Sequence, residues 1–119
     1  MLLIREAQMK VFRDKSLQDF ENGRVADIAR RFPARYAELG EEKTRSVIRA
    51  GIGNSARMGI RHERDVRNLV DLMIFFGESF DSDLRFAFET APLRNNDLPA
   101  QARVELTMSH MGVEPGFHE

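Results

Sequence analysis

Residues 69–83 read LVDLMIFFGESFDSD. Seven of the first eight positions, Leu69 to Phe76, are large and apolar, the exception being Asp71, and Gly77 then stops the run. Eight residues are far fewer than the roughly 20 needed to span a bilayer. At helical spacing Val66, Leu69, Val70, Met73 and Phe76 share one broad face. Phe75 lies on the far side with Arg64, Asn68 and Asp71, while Leu72 and Ile74 flank it. Burying one such side chain is worth about 1.5–3 kcal/mol, so leaving Leu72 and Phe75 in water forgoes several kcal/mol. A helix from about residue 62 to 76 is therefore either central and covered on both sides, or it presents a second face to another molecule. Asp71 has Arg67 and Phe75 four residues away on either side and Arg64 seven away. That spacing predicts a surface or half-buried ion pair along the helix, worth a few tenths of a kcal/mol.

Helical spacing recurs on both sides of this stretch, and no segment alternates apolar and polar residues as a strand would. Upstream, Met9, Phe12, Ser16 and Phe20 form one stripe, and Val25, Ile28 and Phe32 form another. The two stripes are offset around the axis, and Asn22-Gly23 at their seam predicts a kink or short break. Phe32-Pro33 ends this region, and a short helical turn follows to Leu39, with Gly40 as its stop. A further helix is expected from about residue 41 to 58, with Val47, Ile48, Gly51, Ser55 and Met58 inward. Gly51 and Ser55 make a lane through which another helix can approach. Downstream, SFDSDLRFAFETA (residues 79–91) reads as a helix capped by Asp81 or Ser82, its inner stripe Leu84, Ala87, Phe88 and Ala91. A last helix, capped by Asp97 with Pro99 in its first turn, carries Ala102, Leu106 and Met108. The expected fold is all-α, a single compact irregular bundle of five to six helices over residues 1–112. Residues 113–119 are expected to be a loose tail.

Composition narrows the function classes. The chain of 119 residues carries a net charge of −1, so no global field draws it to nucleic acid or anionic membrane. It contains no cysteine, which removes disulfides, thiol nucleophiles and cysteine-ligated metals together. The opening MLLIREAQMK is apolar for only three residues after Met1, too few for a secretory signal. A cytoplasmic location is the expectation. His62, His110 and His118 are too widely spaced for a local zinc motif. Asp81, Ser82 and Asp83 lack the later glycine and glutamate of a calcium loop. Arg57, Arg61, Arg64 and Arg67 with His62 form a basic cluster diluted by Glu63 and Asp65, with no aromatic interleaved for base stacking. No phosphate loop, nucleophile elbow or metalloprotease helix is present. No catalytic residue, metal or cofactor is expected.

The segments LLIREAQM, MGIRHERDV and DLMIFFGESFD, in that order, resemble a family of small bacterial helical proteins. These are encoded beside type VI secretion spike and effector genes, often next to PAAR-repeat proteins. The resemblance covers roughly residues 1–91 and loosens afterwards. It implies an accessory role: chaperone, adaptor or co-effector for a secreted effector or a PAAR spike protein. It transfers no catalytic residue. The partner-binding surface expected from the residues is Leu72, Phe75 and Phe80, rimmed by Arg64, Arg67, Asp71 and Asp81. Alternatives are an immunity protein that neutralises a toxin and a small nucleic-acid-binding regulator using the basic cluster.

Overall fold

The computed structural model describes residues 6–113, with side chains described from residue 16. The expected tail beyond Val113 and the Met9 and Phe12 side chains lie outside that range. Four α-helices run in the order α1 (Glu6–Arg31), α2 (Pro33–Arg57), α3 (Glu63–Phe76) and α4 (Ala100–Met111). Three short 3-10 turns, Phe80–Ser82, Leu84–Phe86 and Ala91–Arg94, lie between α3 and α4. Among the described residues there is no strand. The all-α class stands, with four helices and 3-10 turns in place of five to six helices.

Each border has a local cause. Phe32 is held out of the helical region at φ −127° as the residue before Pro33, and α2 starts on that proline. Gly40 sits inside α2 at φ 81° and ψ 164°, a conformation open to glycine, and bends the helix there. Gly77 at φ 108° closes α3. The break expected at Asn22-Gly23 is absent, since α1 continues through it. Glu21, Arg24, Val25 and Ile28 are buried on both sides of the seam. Their packing outweighs the roughly 1 kcal/mol that a mid-helix glycine costs.

α3 is the centre of the bundle. Every residue from Leu69 to Ile74 is buried, Asp71 included. α2 covers one side of α3 and α4 another, while α1 lies along α2. The Gly51 lane is where α2 and α3 meet: a Cβ built at Gly51 lies 2.7 Å from Val70 Cγ2 and 3.4 Å from Met73 Sδ. The core joins Val25 and Ile28 of α1, Val47 and Ile48 of α2, and Val104 and Met108 of α4 to α3.

Residues 79–91 do not form the expected helix. Their polar side chains bond the nearby backbone instead. Asp83 accepts from the Arg85 amide at 2.9 Å, Ser82 Oγ donates to the Ser79 carbonyl, and Thr90 Oγ1 donates to the Phe86 carbonyl. The turn is capped by Asp83, not by Asp81 or Ser82. The α4 stripe also differs. Pro99 takes the N-cap position, Arg103, Val104, Thr107 and Met108 point inward, and Leu106 is exposed.

Candidate functional site

The expected partner surface does not assemble as one patch. Leu72 and Phe80 are core residues, 0% and 1% exposed, and Asp71 is 0% exposed. The cause is that α3 is covered on more sides than its own sequence requires. Only Phe75 of the three apolar anchors reaches solvent, at 39%. Its ring packs edge-on against Phe32 with ring centres 4.6 Å apart, and the Arg31 guanidinium lies 4.6 Å from the Phe32 ring centre. Arg67 is half-buried and pairs with Glu63 at 2.7 Å, not with Asp71. Arg64 is exposed. Asp81 is half-buried and lines an open cleft of about 510 Å³ with Arg49, Asn54, Arg57, Ser79 and Ser82.

Asp71 meets α1 instead of its own helix. Arg31 Nη2 donates to both carboxylate oxygens, at 3.2 and 3.4 Å. The same guanidinium donates from Nε to Asp27 at 2.8 Å, and Arg24 Nη1 donates to Asp27 at 2.9 Å. The two carboxylates titrate in opposite directions. Burial pushes the Asp71 carboxyl up to about 6, although Arg31 draws it down. Burial also raises Asp27, but the bonds from Arg31 and Arg24 outweigh it and hold that carboxyl at about 2. Asp71 thus behaves as a buried link between α1 and α3. Removing Arg31 takes from Asp71 the cation that draws its carboxyl down, whereas removing Asp71 leaves Arg31 paired with Asp27.

Most other arginines are also committed. Arg45 and Arg49 both donate to Glu21, and their bonds hold its carboxyl below the usual range. Arg35 Nε donates to the Ile74 carbonyl near the end of α3 at 2.7 Å, and Arg103 Nη1 donates to the Met58 carbonyl at the end of α2 at 2.8 Å. A cation suits both places, since the helix dipole is negative at its C-terminal end.

Sequence reasoning missed the most exposed large apolar side chains among the described residues. Leu84 is 88% exposed, Phe88 78% and Leu106 41%. Phe88 stacks on His110 with ring centres 5.8 Å apart and planes 22° apart. His110 follows Leu106 by one helical turn on α4, so Leu106, His110 and Phe88 form a continuous surface. The spacing that predicts Leu84 and Phe88 on an inner stripe belongs to a helix that does not form. The density of Asp, Ser, Thr and Pro around them, from Ser79 to Pro92, is the signal for irregular backbone. Among the described residues, no group of three or more His, Asp and Glu side chains gathers to hold a metal ion. No described helix is long and apolar enough to cross a membrane. Comparisons with protein-family models, with curated proteins and with solved structures find no match for the chain.

Proposed function

We propose that the chain is a non-enzymatic, protein-binding accessory factor: a chaperone, adaptor or co-effector. Its partner is a secreted effector or PAAR spike protein of a type VI secretion system, the class its sequence resemblance implies. The observation that supports binding is the solvent exposure of Leu84 and of Phe88, which stacks on His110 one helical turn from Leu106. Two large apolar side chains left almost wholly in water forgo several kcal/mol that folding would recover by tucking them in. Exposed apolar patches rimmed by polar residues are characteristic of surfaces that meet a partner, and aromatic anchors supply most of the energy there. Arg85, Glu89 and Glu105 are the sequence neighbours of these side chains, and charges at the edge of an interface set orientation more than affinity.

Co-purification with the products of neighbouring genes tests the proposal. The double variant Leu84→Glu, Phe88→Glu is expected to lose at least ~10-fold in partner affinity. Its circular dichroism and Tm should stay near those of the parent, because neither side chain belongs to the core. Phe75→Glu should cost less, since that ring is partly spent on Phe32. Absence of any complex, or a double variant that binds as the parent does, refutes the assignment. Protection of a toxin-expressing cell by the chain alone would make it an immunity protein.

A further inference from the structure

The arginines divide into two groups. Arg24, Arg30 and Arg31 of α1, with Arg35, Arg45, Arg49, Arg67, Arg85, Arg94 and Arg103, each meet a carboxylate or a backbone carbonyl. Among the arginines with described side chains, Arg57, Arg61 and Arg64 do neither. Arg57 Nη2 donates to the Asn54 side-chain oxygen one turn back. All three are exposed, and they lie within eight residues of chain at the corner where α2 turns into α3. A chain that pairs its other described arginines, yet leaves three consecutive ones open at a single corner, presents local positive charge despite its net charge of −1.

We infer that the α2–α3 corner docks an acidic segment of the partner protein, through carboxylate pairs with Arg57, Arg61 and Arg64. The inference rests on the protein-binding reading and names the chemistry of one part of the partner. Guanidinium groups take carboxylates in two-point contact, which gives orientation as well as attraction. The start of α3 adds to the field. His62 at its N-cap position makes no side-chain bond to the first-turn amides, and a helix N-terminus favours negative charge. Half-buried Asp81 lines the same cleft as Arg57, while the acids of the corner itself and of the first turn of α3 are engaged or withdrawn. Glu63 pairs with Arg67, and Asp65 is only 3% exposed. Burial pushes the Asp65 carboxyl up, while the charges of Arg64 and His62 draw it down and Glu105 raises it.

The corner is also tied to the apolar surface. Arg103 of α4 donates to the Met58 carbonyl, so the helix that carries Leu106 is fixed against the turn that carries the arginines. A protein segment fits this arrangement better than a nucleic acid does. Glu63 stands in the same turn as the arginines, the positive charge covers a corner and not a stripe, and the corner sequence 57–64 contains no Phe, Tyr or Trp for bases to stack on.

Side-chain Nε–H resonances of arginine, followed by NMR during titration with a hexaglutamate peptide, test this. Arg57, Arg61 and Arg64 should shift, while Arg85, which is exposed but paired with Asp83, should not. The triple variant Arg57→Glu, Arg61→Glu, Arg64→Glu should bind the peptide at least tenfold more weakly with Tm unchanged, and about 200 mM salt should weaken the parent similarly. Leu84→Glu, Phe88→Glu should bind the peptide as the parent does. Absence of peptide binding, shifts spread evenly over all arginines, or a triple variant that still binds overturns the inference. A DNA duplex of about 20 base pairs that binds more tightly than the peptide would assign the corner to nucleic acid. If the partner still co-purifies while peptide binding fails, only this inference falls. If the partner complex fails while the peptide binds through the three arginines, only the apolar surface is misassigned.

Discussion

A methyl group at position 51 has no room. The Cβ would stand 2.7 Å from Val70 Cγ2, and valine is stiff about χ1, so α3 itself has to move. Overpacking of this kind costs about 1–3 kcal/mol, against a gain of up to about 1 kcal/mol from replacing a mid-helix glycine. Gly53, two residues on, is the natural control, because its Cβ would meet only Arg57 Nη1 at 3.7 Å. Gly51→Ala should therefore lower stability by about 1 kcal/mol and Gly53→Ala should raise it by up to about 1 kcal/mol, as read from urea midpoints. Equal and positive shifts at both sites would show that α3 does not press on Gly51. This close approach was legible in the sequence, since a small residue inside an apolar stripe has few other uses. The partner of Asp71 was not. Spacing along one helix names Arg67 and Arg64, whereas the group that meets Asp71 is Arg31, forty residues earlier on another helix. Phe75 shows the same limit from the other side. Its position opposite the main stripe leaves two outcomes open, a helix covered on both sides or a second face in solvent, and the wheel cannot tell that Leu72 is covered while Phe75 stays partly exposed.

At the scale of elements, the helices whose ends are punctuated by Gly and Pro were readable, and the segment between α3 and α4 was not. Pro33 and Gly77 act through their own backbone and mark borders, and Gly40 bends α2 in the same way, whereas Gly23, with buried residues on both sides, marks none. From Ser79 to Pro92 the apolar spacing suggests a helix, but the side chains of Ser82, Asp83 and Thr90 offer the backbone nearer partners, and the spacing loses. What holds that irregular segment is a side chain near its end. Arg94 donates from Nη2 to the Ala87 carbonyl at 2.9 Å, and from Nη1 to the Asp81 carbonyl and to Thr90 Oγ1, both at 3.2 Å. One guanidinium thus gathers the turns that display Leu84 and Phe88. Arg94→Ala should cost about 1.5 kcal/mol, the low end for bonds to a charged group because this one is exposed. Amide hydrogen exchange should rise across residues 83–93 and stay unchanged in α3. Exchange that rises equally in both would mean that the segment and the helix open together, and that Arg94 holds the whole bundle.

At the scale of the molecule, the two carboxylates joined through Arg31 set opposite slopes on stability against pH. Asp71 titrates at about 6 in the folded chain against 3.8 when unperturbed. The folded state therefore takes up this proton first, and its stability rises as pH falls from 7 toward 4. Asp65, also raised by burial, acts in the same sense. Asp27, held at about 2, and Glu21, lowered by Arg49 and Arg45, contribute stability that is fully present above their unperturbed values of 3.8 and 4.5. That contribution is lost as pH falls through their folded values. The two effects occupy different windows, so the protein should be most stable near pH 4 to 5, with neutral pH on the descending side. Between pH 7 and 5 the Asp71 proton is worth about 1 to 2 kcal/mol, set by one proton and about 1.4 kcal/mol per pH unit. Urea unfolding at pH 7, 6 and 5 measures this directly. Asp71→Asn should flatten the rise over that range, because an amide takes up no proton there. It should leave the loss of stability below pH 4 in place, since that loss belongs to Asp27 and Glu21 on α1. A parent whose stability falls steadily from pH 7 to 5, or an Asn variant with the parent's slope, would mean that Asp71 stays charged in the fold. The α1–α3 link would then be an ordinary ion pair stabilised by Arg31.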